Sequence, residues 1–143
     1  MGEGAASAPG FGYFDHDADI GIEGRGRSIE EAFVEAARAM FSLPYDLSKA
    51  RPERRVEFEF EEEDPELALV EWLNAALAAS RVEELVPAEF ELRRDGNRWR
   101  GAIIGSPISD DIDRGTEVKG ATLTELAVRR ENGTWTARCV VDV

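Results

Sequence analysis

The chain has 143 residues and a mass of 15.8 kDa, enough for one ordinary domain that folds without a disulfide or structural metal. One cysteine, Cys139, excludes an intrachain disulfide and a cysteine-rich zinc site. Thirty acidic residues face 17 basic ones, and the net charge of -13 argues against an extended phosphate-binding surface and suits either a basic protein partner or a cation, or solubility alone.

Residues 1–10, MGEGAASAPG, lack a basic start and an apolar core, and their small residues read as a flexible tail rather than a signal peptide. No apolar run approaches the roughly 20 residues of a membrane helix, so a cytoplasmic protein without membrane contact is expected. The domain is expected over 11–143.

Phe11 to Phe14 reads as a short strand, and residues 20–24 as a second. Between them Asp15, His16, Asp17 and Asp19 form a polar cluster. If extended, its three aspartates share one side, where they repel unless a cation or hydrogen-bond donors sit among them. Ser28 with Glu31 is a capping-box pattern. Ile29, Phe33, Ala36, Met40 and Phe41 then make the apolar stripe of a helix that Leu43-Pro44 ends. Residues 46–55 read as a polar loop. Val56, Phe58 and Phe60 alternate with glutamates as a half-buried strand. Asp64 caps a second helix, Pro65 suits its first turn, and Leu67, Val70, Leu73 or Asn74, and Leu77 mark its buried stripe, with Ala68, Trp72 and Ala76 widening it. This helix is expected to be the more buried of the two.

Strands follow. Phe90 and Leu92 alternate with charged residues, residues 95–97 make a hairpin turn into a strand from Trp99 to Ile104, and 105–115 reads as a loop. Residues 116–130 read as one long strand, and Asn132-Gly133 as a hairpin turn into a final strand that reaches Val143. The expected architecture is α+β: about seven mainly antiparallel strands with two helices packed on one sheet face.

Chemistry-bearing motifs are few. No glycine run has the spacing of a phosphate-binding loop, no serine sits in a nucleophile elbow, and Cys139 alternates with apolar residues as a packed thiol would. Asp110, Asp111 and Asp113 read as a solvated loop. Asp142, flanked by Val141 and Val143, is read two ways: paired with Arg138 or water at the surface, or a cation ligand at a rigid strand end.

Residues 16–22, His-Asp-Ala-Asp-Ile-Gly-Ile, resemble the His-Thr-Ala-Asp-Val/Ile-Gly signature of the archease family. Residues 64–74 are similar to its Asp-x-x-x-Leu-Leu-x-x-Trp-Leu-Asn segment, 117–122 to Glu-Val-Lys-Ala-Val-Thr, and 141–143 to its Val/Ile-Asp-Val/Ile ending. The blocks stand in family order over nearly all of 13–143. Asp17 replaces the usual threonine, and Arg114 and Thr124 stand near common family histidines. The resemblance implies a small α+β fold and a non-catalytic protein cofactor of the RNA-splicing ligase in tRNA splicing and RNA repair, promoting the ligase's guanylylation and multiple turnover. It implies a divalent-cation site, calcium first and magnesium second, with Asp19, Asp142 and the Val143 carbonyl as ligands and His16, Asp17 and Lys119 in support. Direct nucleic-acid binding is not expected. The alternatives are an adaptor or chaperone for another nucleic-acid enzyme, and a small metal-dependent hydrolase.

Overall fold

The computed structural model describes residues 9–143. The expected tail therefore lies almost wholly outside the described residues, and Gly10 already opens the first strand. In chain order the elements are β1 (Gly10–His16), β2 (Asp19–Gly26), α1 (Ile29–Phe41), a 3-10 turn (Leu47–Lys49), β3 (Arg54–Glu61), α2 (Pro65–Glu83), β4 (Leu85–Asp95), β5 (Arg98–Pro107), β6 (Gly120–Ala121), β7 (Ala127–Glu131) and β8 (Thr134–Asp142). The expected α+β class with antiparallel strands and two helices holds. The strands, however, divide between two sheets, and the helices lie between them, touching both.

The first sheet runs β1-β2-β8, with β6 and β7 sharing the far edge of β8. The second runs β3-β5-β4. Residues 116–130 are consequently not one strand. The chain leaves β8 after Ala121, arches through 122–126 with Glu125 in the left-handed region (φ 55), and rejoins as β7. The arch keeps the ladder bonded, because Thr122 N donates to Val140 O and Val140 N donates to Thr124 O, each at 3.0 Å.

Both helices start where the capping residues place them. Ser28 accepts from Glu31 N, and Glu31 Oε1 accepts in return from Arg27 N at 2.7 Å. Asp64 accepts from Glu66 N, with Pro65 at the first helical position. The burial order is the reverse of the expectation: eight of the 13 residues of α1 are buried and seven of the 19 of α2. The buried stripe of α2 is Ala68, Leu69, Trp72, Leu73, Ala76, Leu77 and Ser80, while Leu67 and Asn74 are exposed and Val70 is half-buried. A helix between two sheets buries parts of more than one face, so a single stripe read from spacing is rotated from the observed one.

The core has two textures. Against the first sheet, α1 approaches so closely that a Cβ on Gly24 would lie 2.2 Å from Ala36 N and 2.3 Å from Ala32 O. Only glycine permits this backbone-to-backbone contact. Against the second sheet, aromatic rings fill the space. Trp99 stacks between Phe33 (5.3 Å) and Phe60 (5.9 Å), and Trp72 lies against Phe58 and Phe90. Both buried indoles are satisfied, Trp72 Nε1 donating to Phe33 O at 2.8 Å and Trp99 Nε1 to Glu62 O at 3.0 Å. Among the described residues no helix is long and apolar enough to cross a membrane.

Candidate functional site: the acidic end of the first sheet

Register brings the family-matched residues together. His16 pairs with Asp19 across the β1–β2 hairpin, and Ile20 with Val141 across β2–β8, so the next positions, Asp19 and Asp142, stand opposite each other. Gly120 completes the row beside Asp142. Directly opposite residues of antiparallel strands project from one face, about 4.5–5.5 Å apart at Cβ. His16, Asp19 and Asp142 therefore share one end of one face, away from α1, since Gly24 and its register partner Ala137 mark the helix-facing side.

Backbone bonds hold the row. Val143 N donates to Asp19 Oδ1 at 3.4 Å, and Lys119 N to Asp142 O at 2.7 Å. Asp19 and Val143 are half-buried, Asp142 and Lys119 exposed. Asp142 is thus a surface carboxylate, and its neighbour Val141 is buried on the opposite, helix-facing side. The three aspartates of the 15–19 cluster do not share a side. A turn at Asp17-Ala18 reverses the chain, leaving Asp15 opposite Ile20 on the other face. Asp17 takes the left-handed conformation (φ 51), which aspartate tolerates better than β-branched threonine, and its side chain is 92% exposed, 3.9 Å from His16 Nδ1.

Two supports of the row carried no clear sequence signal. The Phe14 ring lies on the same face directly over Gly21, where a Cβ would come within 2.2 Å of it, and Arg138 stacks on the ring at 4.0 Å. This explains the glycine of the Asp-Ile-Gly motif by packing. Asn74, an exposed amide between the apolar runs of α2, accepts from Ala121 N at 2.9 Å and donates to Ala121 O at 3.4 Å. It ties α2 to β6, and so to the Lys119–Asp142 contact. A polar amide within an apolar helical run was the available signal.

Elsewhere the acidic loop stays a loop. Asp110, Asp111 and Asp113 are exposed, and the Ser109 hydroxyl holds the Asp111 carboxyl below its usual range. Cys139 is buried, and that burial pushes its thiol up to about 12, the wrong direction for a nucleophile.

Two opposed carboxylates and nearby backbone oxygens are hard donors of the kind that bind calcium or magnesium, and they would draw a cation to relieve their repulsion. They are a sparse set. Among the described residues no group of three or more His, Cys, Asp or Glu side chains gathers closely enough to hold a metal. A cation here would depend on backbone oxygens and water for most of its shell.

The fold and site thus define a small α+β protein whose recognisable polar residues gather at one acidic sheet end. The family model described as "Archease protein family (MTH1598/TM1083)" matches residues 11–143. Protein archease of Sulfolobus acidocaldarius is 38% identical over 138 residues, covering 93% of this chain and 98% of that protein. Protein archease of Methanopyrus kandleri is 35% identical, covering 90% and 96%. The solution structure of Methanobacterium thermoautotrophicum protein 1598 superposes with a TM-score of 0.81 at 28% identity, covering 94% of this chain and 99% of that one. The Thermotoga maritima crystal structure described as an archease, possible chaperone, has a TM-score of 0.64 at 23% identity and covers 91% and 94%. The chain belongs to the archease family.

Proposed function

We propose that this protein is a non-catalytic activator of an RNA-splicing ligase in the cytoplasm, promoting the ligase's guanylylation and multiple turnover in tRNA splicing or RNA repair. The observation that carries the reading is the position of Asp19 and Asp142 one residue beyond the Ile20–Val141 pair of β2 and β8, in a chain whose family is established over residues 11–143. Asp19, Asp142 and the Val143 carbonyl would hold a divalent cation, calcium by preference; when bound it would neutralise the paired carboxylates and present a Lewis-acidic centre. The protein's own groups do the rest. His16 stands beside Asp19 in the row, and the Lys119 backbone N–H holds the Asp142 carbonyl. The acidic end would face basic residues around the ligase's nucleotide site. The description of the Thermotoga relative as a possible chaperone suits the same non-catalytic role.

The test is guanylylation of the purified ligase with and without this protein. We expect no turnover from the protein alone and a large gain in ligase–guanylate on mixing. Added salt should slow association more than it speeds dissociation. Asp142→Asn should fold normally and stimulate poorly. Calorimetric titration with calcium and with magnesium should show binding that weakens in Asp19→Ala and in Asp142→Ala. Unchanged binding in both variants would reject the shared site, and full stimulation by folded Asp142→Asn would remove that carboxylate from the mechanism.

A further inference from the structure

Four of the 17 basic residues fall within eight positions of the β4–β5 hairpin: Arg93, Arg94, Arg98 and Arg100. In the register Arg93 stands directly opposite Arg100, and Asp95 opposite Arg98. On the other flank of β5, Glu59 and Glu61 of β3 face Arg100 and Arg98. These residues lie on the outer face of the second sheet, opposite the side on which Gly101 meets Phe58 and Trp72. Arg94 alternates inward. Its guanidinium lies 4.8 Å from the Trp99 ring, and its Nε donates to Gly96 O at 2.8 Å.

The rest of this face is a lattice of opposite charges. Arg55 reaches Glu57 and Glu91 at 2.8 Å each, and Arg98 reaches Glu61 at 3.4 Å. Arg100 reaches Glu59 only at 4.0 Å, and Arg93 makes no ion pair within 4 Å among the described residues, although its charge helps to hold the Glu91 carboxyl below its usual range, after Arg55. A face arranged for self-neutralisation alone would carry a carboxylate at 93 or at 100, because like charges directly opposite destabilise a strand pair. Beside the two arginines opens a concavity of about 450 Å³, lined by the four arginines with Glu61, Asp95 and Asn97. Two planar guanidinium forks on adjacent strands match the oxygens of a phosphate group.

We infer that the outer face of the β4–β5 hairpin is a phosphate-binding clamp, in which Arg93 and Arg100 grip the anion and Arg98 flanks it. The inference is independent of the ligase reading. The charge of -13 disfavours a polyanion spread along the surface, whereas a single phosphate in this concavity meets the guanidinium forks of Arg93, Arg98 and Arg100, with Glu61 and Asp95 as the carboxylates of its lining. Free phosphate and the phosphodiester of an RNA strand offer the same oxygens.

The test is a nitrogen–proton NMR titration of the full chain with sodium phosphate and, separately, with a six-nucleotide oligoadenylate, each against sodium chloride at matched ionic strength. Saturable shifts confined to the amides of 93–100, absent with chloride, are expected. Arg93→Ala and Arg100→Ala should each weaken the affinity by about tenfold, the loss of one charge-assisted bond. Arg93→Lys, which keeps the charge without the fork, should fall between, and Arg27→Ala should behave as the parent. Tighter saturation by the oligonucleotide would identify a nucleic-acid strand as the source, and tighter saturation by phosphate a small phosphate compound. Absence of saturable shifts with both probes, or parental affinity in a folded Arg93→Ala protein, would overturn the inference.

Discussion

The two sheets of this molecule meet the same helices by opposite means. The first sheet lets α1 come close by omitting side chains, with Gly24 seated against the backbone at Ala32 and Ala36. The second sheet holds the helices off with large rings, Trp99 between Phe33 and Phe60, and Phe58 and Phe90 around Trp72. Backbone contact leaves little room for adjustment, so the sheet that presents Asp19 and Asp142 is rigidly registered to α1. Ring packing is voluminous and buries both Trp72 and Trp99 completely. One sheet positions the site while the other anchors the fold.

Truncating the anchor should have the largest effect. Trp99→Ala removes a fully buried indole stacked on two rings and should cost about 3–5 kcal/mol, read as the fall in unfolding free energy in urea. An effect no larger than that of a surface substitution would end the comparison. Gly24→Ala adds one methyl group against helix backbone and should cost about 1–3 kcal/mol; α1 must shift, so shifted amides along β2 and β8 should accompany the loss. If Gly24→Ala is tolerated without such shifts, the close-approach reading fails. Asn74→Ala removes the amide clamp on Ala121 and should cost about 1 kcal/mol, with faster hydrogen exchange at Ala121 and Lys119 but not in β3, β4 or β5.

The smallest effect should have the opposite sign. Glu71 Oε2 is enclosed without a hydrogen-bond partner, and burial, then the neighbouring Glu62 carboxylate, raises the Glu71 pKa. A carboxyl whose folded pKa lies above its unfolded value contributes its stability below the unfolded value and loses it as pH rises through the folded one. Glu71→Gln should therefore raise the melting temperature at neutral pH and leave it nearly unchanged near pH 4. A parental melting curve at both values would show that this enclosed oxygen carries no cost.

Much of this plan is legible in the residues. The capping patterns at Ser28 and Asp64 place both helix starts, and Asp95-Gly96-Asn97 and Asn132-Gly133 place two hairpins, the latter with both residues at positive φ. Local chemistry determines such features. The division into two sheets is not local, and the rotated stripe of α2 follows from it. Residues 116–130 mislead because apolar residues at even spacing also suit irregular backbone: 116–119 form no strand, and 122–126 leave the ladder as a bonded arch. The site was visible chiefly through motif resemblance. The spacing between Asp19 and Asp142 says nothing of their meeting, and the roles of Gly21 and Asn74 depend on partners, Phe14 and Ala121, that no sequence pattern pairs with them.

The position of β8 has a consequence for how the molecule assembles. Its partner β2 lies about a hundred residues earlier in the chain, whereas β4 and β5 are joined by a two-residue turn and β3 is linked to them through α2. Pairing β2 with β8 closes a long loop, an entropic cost that must be met before the contact returns anything. We expect the three-stranded sheet and α2 to form early and the β2–β8 ladder to form late, so that pulse-labelled amides of Ile22 and Cys139 gain protection after those of Phe58 and Ile103. The acidic row would then be among the last parts of the molecule to exist, and a chain halted before β8 would carry Asp19 on a hairpin opposite His16, with no second carboxylate beside it.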